Sequence, residues 1–314
     1  MKVWGRRIGF VLALALLVLT FVNASWLADS PRGYVKLVAH RGLMQLPRVS
    51  APNACTARSI EPPVHDFIEN TLPALAQARR LGAQMIEIDL RLSADGHIVL
   101  FHDAELGCRT DGQGTVAAAT LAQLKALDAG YGYSADGGHT FPLRGTGIGR
   151  IATLEEVLAA IPEAALLYNV QTDNPAIGDR LVAALKAAGR DPVARRDGFS
   201  APAPALAKIR AAFPQAWSYS DEELDACTSA YRFWGWLGVT PGACRGGTLI
   251  VPLNRQWLYA GWPNRTLARM AQVGGRVILI GPSGDEKPHG LDLPEQVGQI
   301  PASFTGHVWV DDMW

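Results

Sequence analysis

The chain has 314 residues, of which 48% are hydrophobic and 18% are charged, and 29 basic residues balance 29 acidic ones. This composition is typical of a globular protein with a large core, and it excludes a mainly disordered chain. A net charge of zero without long runs of one sign also excludes nucleic acid as the partner, because duplex binding rests on basic residues that neutralise phosphates.

Residues 1–27 have the pattern of an export signal. Lys2, Arg6 and Arg7 precede a charge-free apolar stretch from Ile8 to Val22. Two alternatives remain open: cleavage close to the small residues at the end of this stretch, or retention as an anchor, since about 20 apolar residues span a bilayer. In both cases the basic end stays in the cytoplasm. The sequence therefore predicts that residues 28–314 are exported to the periplasm or the extracytoplasmic face of the membrane.

The four cysteines suit an oxidising compartment. Cys55, Cys108, Cys227 and Cys244 allow three disulfide pairings, and free buried thiols are the alternative. Their spacings contain no C-x-x-C motif, which argues against a structural zinc site. Cys227 and Cys244 are close in sequence and form the first predicted pair, which leaves Cys55 for Cys108.

Apolar, β-branched runs alternate with helical patterns throughout residues 28–314, which we interpret as a single domain. The predicted strands are Val35–His40, Met85–Leu90, His97–His102, Ala165–Val170, Ala216–Ser220, Thr248–Leu253, Arg276–Gly281 and His307–Val310. The predicted helices are Thr71–Leu81, Thr120–Leu127, Thr153–Ala160, Pro175–Ala188, Ala203–Ala212, Asp221–Tyr231 and Thr266–Val273. This alternation predicts an α/β fold, a (β/α)₈ TIM-type barrel, whose chemistry lies at the carboxyl ends of the strands.

The first three predicted strands carry reactive side chains near their ends. His40 and His102 end the first and third strands, and Glu87 and Asp89 lie on one face of the second. Asp95-Gly96 predicts a two-residue turn that places Asp89 directly opposite His102. Paired buried carboxylates favour a hard divalent cation, calcium or magnesium, and an ion-pair network with a nearby arginine is the alternative.

Several short motifs, taken in order, resemble those of the glycerophosphodiester phosphodiesterase family. They are His40-Arg41-Gly42, Glu69-Asn70-Thr71, Glu87-x-Asp89, Asp95-Gly96, His102-Asp103 and Arg109-Thr110-Asp111-Gly112. The resemblance continues through Leu127-Asp128-Ala129-Gly130 and the segment 151–156. It covers residues 35 to 185 closely and the remainder of the chain loosely.

The resemblance implies a TIM-type barrel, related to the phosphatidylinositol-phospholipase-C-like phosphodiesterases, that hydrolyses a small-molecule glycerophosphodiester to glycerol phosphate and an alcohol. It also implies one divalent cation, Ca²⁺ or Mg²⁺, as the cofactor. His40 and His102 match the family's acid/base pair, and Arg41 matches its phosphate-binding arginine. The residues that match the metal ligands are Glu69, Glu87 and Asp89.

Two features depart from the family's pattern. The family usually has Asn-x-Glu-x-Lys on the fourth strand, where this chain has Asn169-Val170-Gln171-Thr172-Asp173. Gln171 is therefore a neutral candidate ligand, and Asp173 removes a phosphate contact. An insertion at about residues 43–68 is expected to lie above the barrel mouth.

Two further functions remain open beside hydrolysis of soluble glycerophosphodiesters. One is a phospholipase D-type activity on lysolipids at the membrane, which the N-terminal segment would contact if it is uncleaved. The other is a catalytically degraded protein that only binds glycerophosphodiesters, an alternative motivated by Gln171 and Asp173. The alcohol headgroup, the metal and the oligomeric state are not determined by these patterns.

Overall fold

The computed structural model describes residues 2–48, 55–284 and 290–314, and most of its strands form one parallel sheet. The strands are β1 (Lys36–Ala39), β2 (Met85–Leu92), β3 (Ile98–Leu100), β4 (Ala165–Val170), β5 (Gly198–Ser200), β6 (Trp217–Tyr219), β7 (Thr248–Pro252), β8 (Arg276–Ile280) and β9 (His307–Val310). Eight of them follow the order β6-β5-β4-β2-β1-β9-β8-β7, while β3 pairs only with β2. The predicted (β/α)₈ TIM-type barrel is confirmed.

The barrel is nearly closed between its two outer strands. Within the described part of the chain, β6 and β7 share no backbone ladder. The indole nitrogen Nε1 of Trp217 on β6 instead donates a hydrogen bond to Oγ1 of Thr248 on β7, over 2.9 Å. A large side chain thus joins the two strands where direct backbone pairing ends.

Two strand predictions need correction. Residues 97–102, predicted as one of the eight strands, contain the three-residue β3, which pairs antiparallel with β2 outside the barrel. The barrel strand missing from the prediction is β5, which pairs in parallel with β4 and β6. Three residues are too few to show a hydrophobic period, so only the neighbouring strands define β5 as a strand.

The helices are α1 (Lys2–Asn23), α2 (Leu72–Arg80), α3 (Leu121–Ala126), α4 (Leu154–Ala160), α5 (Ala176–Ala187), α6 (Pro192–Arg195), α7 (Ala203–Ala212), α8 (Asp221–Trp234), α9 (Asn264–Gln272) and α10 (Pro294–Val297). The seven predicted helices are present as α2–α5 and α7–α9, and the structure adds the short helices α6 and α10 and the N-terminal helix α1. A capping box starts α4, since Thr153 and Glu156 exchange side-chain and backbone hydrogen bonds.

The hairpin between β2 and β3 has a different register from the predicted one. Leu90 pairs with Leu100, and the amide of Phe101 donates to the carbonyl of Asp89 over 3.1 Å. The predicted pairing of Asp89 with His102 is therefore wrong, because Phe101 lies opposite Asp89 instead. The cause is the turn, which has three residues and ends at Gly96 with φ +84°, rather than the two-residue turn that Asp95-Gly96 suggests.

Both predicted disulfides are confirmed. Cys227 and Cys244 are bonded at an S–S distance of 2.02 Å, and Cys55 and Cys108 at 2.06 Å. The second bond ties the insertion at 43–68 to the segment just after His102. Ile60 and Ile68 from the insertion pack with Tyr133 in a separate apolar cluster. Residues 49–54 of the insertion lie outside the described residues.

The N-terminal helix α1 stands apart from this core. Its segment Trp4–Asn23 is long and apolar enough to span a membrane, with a mean hydropathy of 1.9, and none of it is buried in the protein. Large side chains such as Phe10 are exposed on it. Among the described residues, the hydrogen bonds from this helix to the barrel domain come from its end, at Val22 and Asn23.

Candidate active site

The carboxyl ends of neighbouring strands bring the predicted site residues together. His40 follows β1, Glu87 and Asp89 lie on β2, and Gln171 follows β4. The side chain of His102, beyond β3, lines a small cavity together with Glu69. This is the end of the barrel at which enzymes of this fold carry their chemistry.

The imidazole of His40 is held by a carboxylate from the last strand. Its Nδ1 lies 2.6 Å from Oδ1 of Asp311. Burial acts to raise the pKa of Asp311, but the charge and hydrogen bond of His40 outweigh it and lower that pKa. Burial and the neighbouring Arg41 lower the pKa of His40 itself. An ionised carboxylate can only accept, so Nδ1 carries the proton and Nε2 remains to act on a ligand.

His102 forms a second histidine–carboxylate pair. Its Nδ1 lies 2.7 Å from Oδ1 of the next residue, Asp103. Burial acts to raise the pKa of Asp103, but the hydrogen bond from His102 and the charge of Arg109 hold it at about 2. Arg91 donates to the carbonyl oxygen of His102 from Nε over 2.8 Å and from Nη2 over 2.6 Å, which fixes the backbone beneath the ring.

The guanidinium of Arg41 bridges two of the predicted metal-ligand carboxylates. Nη1 donates to Oε1 of Glu69 over 2.8 Å, and Nε lies 2.9 Å from Oδ2 of Asp89. The backbone amide of Arg41 also donates to Oε2 of Glu87 over 3.0 Å. Arg41 adopts a left-handed φ of +55°, and Gly42 follows at +81°. A Cβ at Gly42 would lie 2.9 Å from the carbonyl carbon of Ala74, which explains the glycine in the His-Arg-Gly motif.

A second buried arginine, Arg109, belongs to the same network. Its Nη1 lies 3.2 Å from Oε1 of Glu69, and its Nε lies 3.0 Å from Oδ2 of Asp103. Nη1 also donates to the hydroxyl oxygen of Tyr133 over 3.2 Å. Arg109 therefore joins the His102 pair to the carboxylate cluster around Arg41.

Asp89 is the most heavily hydrogen-bonded carboxylate of the cluster. Asn70, at a left-handed φ of +57°, donates from Nδ2 to Oδ2 of Asp89 over 2.8 Å and accepts from its amide over 3.1 Å. Oδ1 of Asp89 accepts from Nδ2 of Asn169 over 3.1 Å and from Nε2 of Gln171 over 3.0 Å. Together with the ion pair between Arg41 and Asp89, these contacts form the arginine–carboxylate network that the sequence left open as the alternative to a metal.

Two oxygens of the cluster nevertheless fit a divalent cation. Oε2 of Glu69 and Oε1 of Glu87 are buried without a hydrogen-bond partner among the described residues. Burial, and then the charge of Asp89, raise the pKa of Glu87 well above its ordinary value. A hard cation bound to these oxygens would give them a partner and would offset the repulsion between Glu87 and Asp89. In the arrangement described, no three carboxylate, histidine or cysteine side chains converge as a metal cluster, because Arg41 bridges Glu69 and Asp89.

The structure thus places the predicted site residues in one connected network. They are His40, Arg41, Glu69, Glu87, Asp89, His102 and Gln171. Asp173 is exposed beyond β4. Sequence reasoning assigned no role to Asp311, Asn70 or Arg109, because nothing in the sequence shows which side chains they meet. Asn70 and Arg109 do stand in the quoted motifs.

Comparison with known proteins supports the resemblance. The model of the glycerophosphoryl diester phosphodiesterase family matches residues 52–195. The chain is 37% identical over 123 residues to the glycerophosphodiester phosphodiesterase of Caldanaerobacter subterraneus subsp. tengcongensis, covering 38% of this chain and 47% of that protein. It is 32% identical over 122 residues to the enzyme of the same name from Bacillus subtilis, covering 38% and 41%. The match thus spans less than half the length of these curated relatives.

Solved structures share the fold over most of the chain. The glycerophosphoryl diester phosphodiesterase domain of an uncharacterised Mycobacterium tuberculosis protein has a TM-score of 0.61 at 18% identity, covering 89% of this chain and 97% of that one. An Oleispira antarctica phosphodiesterase, solved with the product sn-glycerol-3-phosphate, has a TM-score of 0.57 at 21% identity, covering 88% and 93%.

Proposed function

We propose that this chain is a member of the glycerophosphoryl diester phosphodiesterase family and that it hydrolyses glycerophosphodiesters to glycerol phosphate and an alcohol. The observation that supports this activity best is the pair of histidines, each with Nδ1 on a carboxylate, at one end of the barrel. Between them lies a buried network that contains two arginines. The product bound to the Oleispira phosphodiesterase is consistent with the same substrate class.

The two histidines supply the proton transfers that phosphodiester cleavage needs. One imidazole accepts a proton through Nε2 from the water that attacks phosphorus, and the other protonates the alcohol oxygen as its bond to phosphorus breaks. Asp311 and Asp103 are positioning residues: each keeps the proton of its histidine on Nδ1 and orients the ring. The lowered pKa of His40 keeps this imidazole neutral, the form that a general base requires.

The cationic groups of the network stabilise the phosphate. Arg41 is the residue that we assign to the phosphate oxygens, since its guanidinium lies at the centre of the cluster. Glu69, Glu87 and Asp89 would hold a divalent cation, with Gln171 as a neutral fourth ligand. When bound, this cation neutralises charge that develops on the phosphoryl oxygens.

The activity is tested by incubating the full-length protein with a panel of glycerophosphodiesters, with added calcium or magnesium and with chelator. We expect release of glycerol phosphate that chelator suppresses and that either ion restores. Binding of the panel without turnover under any ion would instead identify a protein that only binds these headgroups. Turnover of lysolipids alone, with the release of the alcohol headgroup, would favour the phospholipase D-type alternative.

Removing the carboxylate behind His40 should change the pH profile. The charged groups around this imidazole are Asp311, Asp89 and Arg41, and the two carboxylates act to raise its pKa. Asp311→Asn should therefore lower the pKa of His40 further and move the limb of the kcat/KM profile that His40 governs to lower pH. We expect kcat to fall by about 10- to 100-fold, as for other residues that orient a functional histidine.

The control for this variant is Asp312→Asn, one residue further along. Asp312 lies near His65, at 3.4 Å, rather than beside His40. Its replacement should leave both the kcat and the pH profile close to those of the wild type. An Asp311→Asn profile with the wild-type shape would show that this carboxylate does not tune His40.

Restoring an acidic residue on the fourth strand should tighten the metal. Nε2 of Gln171 donates a hydrogen bond to Oδ1 of Asp89. A carboxylate at position 171 would therefore repel Asp89 unless a cation lay between them. Gln171→Glu should increase the affinity for calcium and magnesium by about tenfold or more. Calorimetric titration with each ion measures this, with Gln272→Glu at the exposed end of α9 as the control. Identical binding by Gln171→Glu and wild type would place Gln171 outside the coordination shell.

We propose further that α1 is retained and anchors the exported domain to a membrane. The possible cleavage region is built into the fold: Nη2 of Arg269 donates to the carbonyl of Val22 over 3.1 Å and to Oδ1 of Asn23 over 3.0 Å. Asn23 in turn donates from Nδ2 to the carbonyl of Trp236 over 2.8 Å, and Ala24 is only 3% exposed. Cleavage after Ala24 would leave Arg269 without these acceptors.

Exposed apolar side chains surround this junction. They are Trp26, Phe233, Trp234, Trp236, Leu237 and Val239. Tryptophan and other aromatic residues collect at membrane interfaces, where an apolar ring and a polar edge are both accommodated. This patch supports the proposal that the protein contacts the bilayer surface beside α1.

The anchor is tested by determining the N-terminus of the protein recovered from its native host by mass spectrometry. We expect α1 to remain attached and the protein to stay in the membrane fraction after alkaline carbonate extraction. A mature chain that begins near Ser25 and is recovered in the soluble fraction would identify the segment as a cleaved signal peptide.

A further inference from the structure

Basic side chains also meet at the opposite end of the barrel from the histidines. Lys36, Arg276 and His307 are the first residues of β1, β8 and β9. Val38 and Ile278 are side chains of the barrel interior. Lys36 lies two residues before Val38, and Arg276 lies two residues before Ile278. Because side chains alternate between the two faces of a strand, Lys36 and Arg276 also lie on the interior side. His307 pairs in register with both Lys36 and Ile278. The three side chains therefore gather at the amino-terminal end of the barrel.

They line a cleft of about 420 Å³. Its other walls come from residues 29–32, which connect α1 to β1, from one side of α9, and from Thr305 and Gly306. None of the residues assigned to catalysis lines this cleft. It is therefore separate from the proposed active site.

The positive charge at this cleft is not matched by carboxylates. In the described ranges, neither Lys36 nor Arg276 has a carboxylate oxygen within 4 Å. Nζ of Lys36 donates to the carbonyl of Thr305 over 2.8 Å, and the guanidinium carbon of Arg276 lies 4.9 Å from the ring centre of Trp217. Burial, then Arg276 and Arg196, lower the pKa of Lys36. The carboxylate among the lining residues belongs to Asp29, which is solvent-exposed.

His307 adds a buried polar atom without a partner. The residue is 5% exposed, its ring stacks on Trp217 at 5.3 Å, and its Nδ1 has no hydrogen-bond partner among the described residues. Burial, then Arg276 and Lys36, lower its pKa to about 3, and the backbone of Val277 acts in the opposite direction with a smaller effect. Buried nitrogens in folded proteins are almost always paired, so this atom points to a ligand that is not part of the chain.

We propose that this cleft binds a phosphate-type oxyanion, held by Lys36, Arg276 and His307. Such an anion would neutralise the crowded cations and accept charge-assisted hydrogen bonds from them. It would also favour protonation of His307, whose Nδ1 could then donate. Either free phosphate or the phosphate of a lipid headgroup has this chemistry. The lipid source rests on the anchoring of α1, since Asp29 lies only six positions after Asn23, a span of at most about 20 Å.

The first experiment measures binding of inorganic phosphate to the full-length protein in detergent, by calorimetry and by hydrogen exchange. We expect phosphate to slow exchange in residues 29–36 and 302–308 and to raise the unfolding temperature. Lys36→Gln and Arg276→Gln should each weaken this binding by about 10- to 100-fold, the value of one charge-assisted hydrogen bond. Lys186→Gln, on the exposed end of α5, should bind as the wild type does.

The variants also report on folding without ligand. Removing one of several crowded cations relieves repulsion, so Lys36→Gln and Arg276→Gln should unfold at the same temperature as the wild type or higher when phosphate is absent. Unchanged phosphate binding in both variants would overturn the proposal. Exchange protection confined to the segments around His40 and His102 would overturn it as well, because the phosphate would then occupy only the catalytic end.

The second experiment separates the two sources. The protein is reconstituted into vesicles of phosphatidylcholine alone or of phosphatidylcholine with phosphatidylglycerol, with and without inorganic phosphate. Protection of residues 302–308 by phosphatidylglycerol, lost in Arg276→Gln, assigns the site to a lipid headgroup. Protection by inorganic phosphate in phosphatidylcholine vesicles assigns it to the free anion. If neither phosphatidylglycerol nor inorganic phosphate protects these residues, the proposed anion site is contradicted.

Discussion

Replacing either His40 or His102 by alanine should lower kcat by about 10² to 10⁴, the usual contribution of a general acid or base. In each imidazole a carboxylate holds Nδ1, which leaves Nε2 for proton transfer, and the acid and base steps need one imidazole each. The measurement is steady-state hydrolysis of a glycerophosphodiester by protein whose fold has been checked by circular dichroism.

The matched control is His139→Ala, which removes an exposed imidazole that takes part in none of the contacts described for the carboxylate network. It should retain the wild-type kcat. A loss of less than tenfold in both His40→Ala and His102→Ala, in folded protein, would contradict their assignment as acid and base. A large loss of kcat in only one of the two variants would show that a group other than the second histidine acts as the remaining acid or base.

The largest effect on stability is expected at a buried ion pair beneath β5. Arg190 binds Asp197 through two hydrogen bonds of 2.7 Å, from Nε and from Nη2, and both side chains are almost fully buried. Asp197 also accepts from the amide of Leu166 on β4 over 2.9 Å. Asp197→Ala would leave the guanidinium buried without its counter-ion, which costs about 3 to 5 kcal/mol in the free energy of unfolding.

Urea unfolding measures this loss, and Asp179→Ala is the control. Asp179 pairs with Lys208 at 3.5 Å, but both side chains are more than half exposed, so solvent screens the pair and its removal should change stability little. Equal stability of Asp197→Ala and Asp179→Ala would show that the buried pair does not hold the start of β5. The comparison thus tests how a three-residue strand is kept in the barrel.

Much of the site was predictable because its signals are local in sequence. Glu87 and Asp89 share a face through the period of two in an extended strand, and His40 and His102 stand where strand patterns end. The ordered motifs then implied the family, and the family model agrees with them. Their assembly into one network follows from parallel strands whose carboxyl ends meet at one end of a barrel.

Other parts of the site depend on contacts between distant segments. Asp311 reaches His40 only because β9 lies beside β1, 271 residues later in the chain. Arg109 and Asn70 meet their carboxylates through loops whose paths no sequence period describes. No local pattern connects such pairs, because the barrel must close before they come together.

The sequence by itself predicted seven of the helices, most of the strands, the disulfide partners and the Glu87–Asp89 pair. The helices and strands depend on local periodicity, and the disulfide partners on the number and spacing of the cysteines. Glu69 joined the predicted site only through the family's motifs. Tertiary structure alone decided the register of Asp89, through the left-handed Gly96, and the inclusion of β5 in the barrel. It also decided that Lys36, Arg276 and His307 meet at one end, since the parallel pairing of β9 with both β1 and β8 brings the amino ends of the three strands together.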